Sequence, residues 1–333
     1  MSENPQLPAD LSKDVKRIGN ASLLSWISEN KIELPKSDNF LDSLAKGLVE
    51  GAIRSDQLNA AISELDENSD KKIILMTIDQ VDKLLTNKKS ILQDLHKRKG
   101  IVASDKKWVN GDVKNGNPTF IYMYWDEDIL KIKYSEIQYN VETDYETEKI
   151  VKTEKRVNII FIIDPKDGFV QIRFDSPGNI HRHKNDTGKI SEAAYEGFYK
   201  ELLLDLFQDL TFKELNLNKV ANHLATVEVK KFRITKGVTT ITNNAKQTFA
   251  TASIQADVRN LPEYVAAASK GTDYWLAEDL TGYWVASESE DSLRKDLFMR
   301  ISRKYSQIRV QRGCLEKELN YGISKIREIQ GTV

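Results

Sequence analysis

Glu228-Val229-Lys230 is the triplet in this chain whose residue types and spacing come nearest to catalysis. On a strand, residues two apart project to one face, so the Glu228 carboxylate and the Lys230 ammonium would stand side by side. Metal-dependent nucleases use such a pair: the carboxylate binds Mg²⁺ and the lysine polarises the attacked phosphate. The site also needs an upstream aspartate on an adjoining strand. Asp205 and Asp209 fall on an expected helix, Asp164 in a turn, and Asp175 at the end of a distant strand. None completes the site cleanly, and alternating Glu and Lys also decorate solvated edge strands. Mg²⁺ is expected only if the nuclease reading holds; otherwise no cofactor is expected.

His181 and His183, with Asp175 and Asp186 near them, are the metal candidates. Two imidazoles on one strand face can share a metal. Pro177, Gly178, Asn179 and Gly188 surround them, which reads equally as a polar surface loop, and the spacing fixes no third ligand. His96 and His223 read as ordinary helix residues. The acidic groups at 126–128 and 142–148 lack the central glycine and terminal glutamate of a Ca²⁺ loop and read as solvated.

Other chemistry fails at named positions. The nearest approach to a phosphate loop is Thr187-Gly188-Lys189-Ile190-Ser191, but Ile190 follows the lysine and His183 stands where the first glycine belongs. There is no G-x-S-x-G elbow, dinucleotide fingerprint or H-E-x-x-H pair. The chain is read as uncertain for enzymatic activity and closer to a binding protein.

A basic patch near the C-terminus is more suggestive. Residues 294–312 contain Arg294, Lys295, Arg300, Arg303, Lys304, Arg309 and Arg312 against Asp296 as their one acidic residue. Leu297, Met299, Ile301, Ile308 and Val310 alternate with polar residues, so two paired strands would bury the apolar set and present Arg300, Lys304 and Arg309 outward. Lys230, Lys231, Arg233 and Lys236 would extend this stripe if their strand shares the sheet. A basic β-ribbon can track a phosphate backbone or meet an acidic protein, and Tyr305 could stack on a base.

The charge distribution is uneven in the same sense. The net charge is −1 overall, yet residues 222–333 hold 17 Lys and Arg against 13 Asp and Glu, while residues 101–221 hold 17 against 21. Cys314 is the single cysteine, which fits a reducing compartment. The start Met-Ser-Glu-Asn-Pro has neither a basic nor an apolar leader region, and the longest apolar runs, such as Ile159–Ile163, are too short to cross a bilayer. A cytoplasmic protein without a membrane segment is expected.

Positioning these residues requires several elements, and 333 residues exceed what one core comfortably supports. Residues 1–10 read as a flexible tail. Residues 11–100 read as a helical interaction module, with helices opening at Asn20, at Ser37 or Asp38, and at Ser55, then a strand over Lys72–Ile78 and a further helix. Residues 101–215 read as an antiparallel meander plus a helix capped by Ser191. In it Leu130, Ile132 and Tyr134 alternate with Lys131, Lys133 and Ser135, which predicts one wet face. Residues 216–333 read as an α+β part with strands over Val227–Ile234 and Val238–Thr242, a turn at Thr281-Gly282, the basic hairpin and a final helix. Whether 101–333 forms one body or two stays open.

The fold class is therefore α+β: a small N-terminal helical module followed by an antiparallel-sheet body with packed helices. The leading function is a non-enzymatic binding or scaffold protein. Its N-terminal helices would dock a protein partner, and its basic sheet face would contact nucleic acid or an acidic protein. The alternatives are a nuclease centred on Glu228 and Lys230, and a structural oligomer subunit.

Overall fold

The computed structural model describes residues 6–79, 88–100, 113, 117–144, 149–175, 180–181, 192–227, 230–241, 246–269, 275–303, 306–311 and 313–331. Four helices open the chain: α1 (Ala9–Ile18), α2 (Asn20–Glu29), α3 (Phe40–Glu50) and α4 (Ser55–Asn68). The first was not foreseen, although Leu11, Val15 and Ile18 follow the helical period. α3 opens after Asn39, whose side chain accepts from the Asp42 amide at 3.0 Å, one residue beyond the expected caps. The apolar stripes of these helices close on one another. Leu23, Trp26, Ile27, Leu44, Leu58, Ile62 and Leu65 form one core together with Leu315 from the far end of the chain.

The remaining elements are β1 (Lys71–Asp79), α5 (Lys88–Lys99), β2 (Thr119–Asp126), β3 (Ile129–Asp144), β4 (Lys149–Asp164), β5 (Phe169–Asp175) and β6 (Ile180–His181). They continue with α6 (Glu192–Leu206), β7 (Thr211–Glu214), α7 (Asn218–Thr226), β8 (Phe232–Ile241), β9 (Lys246–Ala250) and α8 (Pro262–Ala268). β10 (Trp275–Trp284), β11 (Leu297–Ser302), β12 (Gln307–Val310) and α9 (Glu316–Gln330) complete the chain. The fold is α+β, and the strands share one antiparallel sheet in the order β2-β3-β4-β5-β1-β12-β11-β10-β8-β9.

β1 joins the two halves of the sheet, pairing with β5 on one side and with β12 on the other. It is apolar on both faces, as a central strand buried on both sides must be. Its even residues Ile74, Met76 and Ile78 pack with β2–β5 under α6. Its odd residues Ile73 and Leu75 pack with β8, β10–β12, α7 and α9. The apolar cores of the two halves thus lie on opposite faces of the sheet, while α4 and the start of α9 also lie over β2–β5 on the side away from α6.

The expectation of a wet face on β3 is corrected by this arrangement. Lys131, Lys133 and Ser135 are 6%, 4% and 0% exposed, because α4 and the start of α9 lie over them. Period-two alternation reports polarity and not solvent: a helix with its own polar stripe can cover a polar sheet face. Here α4 supplies Ser63, Asp66 and Glu67. Glu67 Oε1 accepts from the Tyr122 hydroxyl at 2.5 Å and from Lys133 Nζ at 3.1 Å. Asp66 takes Arg17 and the Asn158 amide. Burial opposes ionisation of Asp66, but Arg17, Lys71 and Lys133 outweigh it and hold its carboxyl well below the usual range.

Two other expectations change. Thr281-Gly282 is not a turn: β10 runs unbroken through it, with a register shift against β8. A Cβ at Gly282 would strike the Arg233 carbonyl and approach the Phe232 ring to 2.7 Å, so glycine permits close approach here rather than a reversal. Likewise, Val227–Ile234 and Val238–Thr242 do not form two strands. α7 continues to Thr226, the chain turns through Lys230 and Lys231, and β8 runs from Phe232 past Gly237. Among the described residues no helix is long and apolar enough to cross a membrane.

Candidate nucleic-acid interface

Leu297, Met299, Ile301, Ile308 and Val310 are all fully buried against the core beneath α7 and α9. Strand alternation therefore sends Phe298, Arg300, Ser302, Arg309 and Gln311 to the opposite face. Pairing then sets the neighbours. Lys72 lies opposite Arg309, Arg309 opposite Arg300, Arg300 opposite Thr281, and Thr281 opposite Lys236. Four cations thus occupy five positions of one cross-strand row. Adjacent strands are about 4.8 Å apart, so the row crosses five strands in roughly 19 Å.

A second row stands one pleat away, about 7 Å along the strands. Tyr283 faces Phe298 on one side and Arg233 on the other. The two rings meet edge to face at 5.5 Å between centroids, and the Arg233 guanidinium lies 5.5 Å from the Tyr283 centroid. Arginines, lysines and half-buried rings consequently share the sheet face opposite the core beneath α7 and α9.

The arginines are positioned by carboxylates. Arg300 pairs with Asp279 at 3.0 Å, Arg309 with Asp70 at 2.9 Å, and Arg233 with Asp296 at 2.5 Å. The Arg300 and Arg309 side chains remain 48% and 42% exposed. Lys72 is the buried end of the row. Burial, followed by the like charges of Arg309 and Arg300, outweighs the attraction of Glu196 and brings its pKa down to about 8. Burial is the larger cause, and the two arginines add to it.

The expected basic residues separate into groups. Arg300, Arg309 and Arg233 come together on this face, joined by Lys236. Lys230 and Lys231 are exposed in the turn before β8, not on a strand face. Arg303 follows β11 in the turn, its amide donating to the Glu278 carbonyl at 2.7 Å. Lys304, Tyr305 and Arg312 lie outside the described residues. Lys72, Tyr283 and Phe298 were not foreseen as part of the site. Lys72 directly precedes the apolar run Ile73–Met76 of β1, which is the signal that could have marked it.

For the nuclease and metal candidates, Glu228 lies outside the described residues, and Lys230 is not on a strand. The same-face argument for that pair therefore loses its basis. His181 pairs through its backbone with Tyr139 of β3, and His183 lies outside the described residues. Among the described residues there is no group of three or more His, Cys, Asp or Glu side chains arranged to hold a metal. No family model matches the chain, and no curated protein matches it.

Proposed function

We propose that the protein is a non-enzymatic binding protein whose β8–β12 face, opposite α7 and α9, holds single-stranded nucleic acid. The observation that carries this reading is the row Lys72–Arg309–Arg300–Thr281–Lys236 beside the Tyr283–Phe298 pair. Cations at strand spacing suit a phosphate backbone, and rings one pleat away suit unstacked bases. Single strands are favoured over duplex because half-buried rings on a sheet reach only bases that are splayed out.

An acidic protein surface would satisfy the cations but leaves the rings without a role. Oligonucleotide binding by the wild type and by Arg300→Gln/Arg309→Gln, titrated against salt, tests the reading. Preference for an acidic polypeptide over the oligonucleotide would replace it. For docking a protein partner, the N-terminal helices offer Leu24 and Val49, 46% and 74% exposed, since most of their apolar stripes are buried in their own core.

A further inference from the structure

The other side of the sheet carries a cleft of about 690 Å³ between α9, the end of α2 and strands β2–β5. Its size suits a metabolite. Arg173 of β5 contributes to its lining and is 1% exposed. Its Nε and Nη2 donate to Gln171 Oε1 at 2.9 and 2.7 Å, Nη1 donates to Asn68, and Nη2 reaches Asn320 Oδ1 at 3.5 Å.

Every one of those acceptors is a neutral amide. Among the described residues no carboxylate comes within ion-pair distance of this guanidinium, although the other cations lining the cleft each have one. Lys131 pairs with Glu316 at 2.7 Å and with Asp126 at 3.2 Å; Lys317 pairs with Glu29, and Arg327 with Asp167 at 2.6 Å. Glu64 is also engaged, accepting from Trp26 Nε1 at 2.8 Å and from the Glu316 amide at 3.2 Å. Burial lowers the pKa of Arg173, and the distant charge of Glu316 opposes that only in part. A buried cation without an anion is costly to hold, and a bound anion would offset that cost.

We infer that this cleft binds a metabolite-sized oxyanion, a carboxylate or phosphate group docking on Arg173 in place of Asn320. Asn320 is the partner that can yield: its side chain is exposed and its contact is the longest of the four. The site is independent of the basic sheet face, which lies on the opposite side of the sheet.

Thermal melts at constant ionic strength, with chloride replaced by inorganic phosphate, succinate or AMP, test the inference. A saturable rise in Tm with at least one of them is expected, and which one responds separates phosphate from carboxylate. Asn320→Asp places a carboxylate beside Arg173. That variant should melt above the wild type without added anion and lose the anion response. Arg300→Gln/Arg309→Gln should keep the response. No saturable rise with any of the three anions, a full response in Asn320→Asp, or its loss in the sheet-face variant would each overturn the inference.

Discussion

Arg300 of β11 and Arg309 of β12 stand directly opposite one another in an antiparallel pair. Like charges at such positions, with Cβ atoms about 5 Å apart, repel. Each is drawn aside by its own aspartate, Arg300 by Asp279 and Arg309 by Asp70. Nothing in the packing of the sheet requires two arginines there.

That arrangement predicts that function and stability separate at these positions. Both side chains are half exposed, so Arg300→Gln and Arg309→Gln should leave unfolding free energy within about 0.5 kcal/mol of wild type. Urea denaturation checks this. A loss of several kcal/mol would mean that the row is structural.

Lys72 predicts a pH dependence. Its folded pKa, about 8, lies below its ordinary value of 10.5. Below pH 8 both folded and unfolded chains carry the proton, and the folded state bears the full penalty. Between about pH 8 and 10.5 the unfolded chain holds more protons, so the penalty fades and stability from this group rises with pH. Lys72→Met should therefore be more stable than wild type at pH 7, with the gap narrowing towards pH 10. A gap that is constant with pH in urea denaturation would contradict the assignment. Nucleic-acid binding near pH 8 should also take up protons, measurable by calorimetry in buffers of different ionisation heat.

Lys131 and Glu316 tie the two ends of the fold together, 185 residues apart in sequence and 2.7 Å apart in space. Burial alone would lower the pKa of Lys131, but Glu316 and Tyr124 outweigh it, and the pKa is raised. Glu316→Gln leaves the lysine buried with Asp126 at the cleft rim and should cost about 1–3 kcal/mol. Lys131→Met/Glu316→Gln should recover much of that loss, because the buried lysine left with only the rim carboxylate Asp126 is gone. Denaturant unfolding of the single and double variants checks both statements.

The local elements were legible where one face is apolar and the other meets solvent. The alternation of Leu297, Met299 and Ile301 with Arg300, and of Ile308 and Val310 with Arg309, is enough to place both arginines outward. The same alternation at Lys131 and Lys133 misleads, because what covers those lysines is the polar stripe of α4, set by a tertiary contact that strand periodicity does not encode. Lys72 and Tyr283 joined this face only through pairing between strands distant in sequence. Gly282 looked like a turn because glycine marks both reversals and close backbone approach, and the pairing with β8, which brings the Arg233 carbonyl and the Phe232 ring against it, distinguishes them. Lys230 lies in a turn after α7, whose end at Thr226 apolar spacing alone does not fix.

The most direct test of the central claim is the salt dependence of binding a fluorescein-labelled single-stranded oligonucleotide, compared between wild type and Arg300→Gln/Arg309→Gln. Two lost phosphate contacts should weaken binding and lower the slope of log K against log salt by about 1.4. Tyr283→Ala should weaken binding by about 1–3 kcal/mol while leaving the slope unchanged. Equal affinity and equal slope in the wild type and the arginine variant would remove the β8–β12 face from the account.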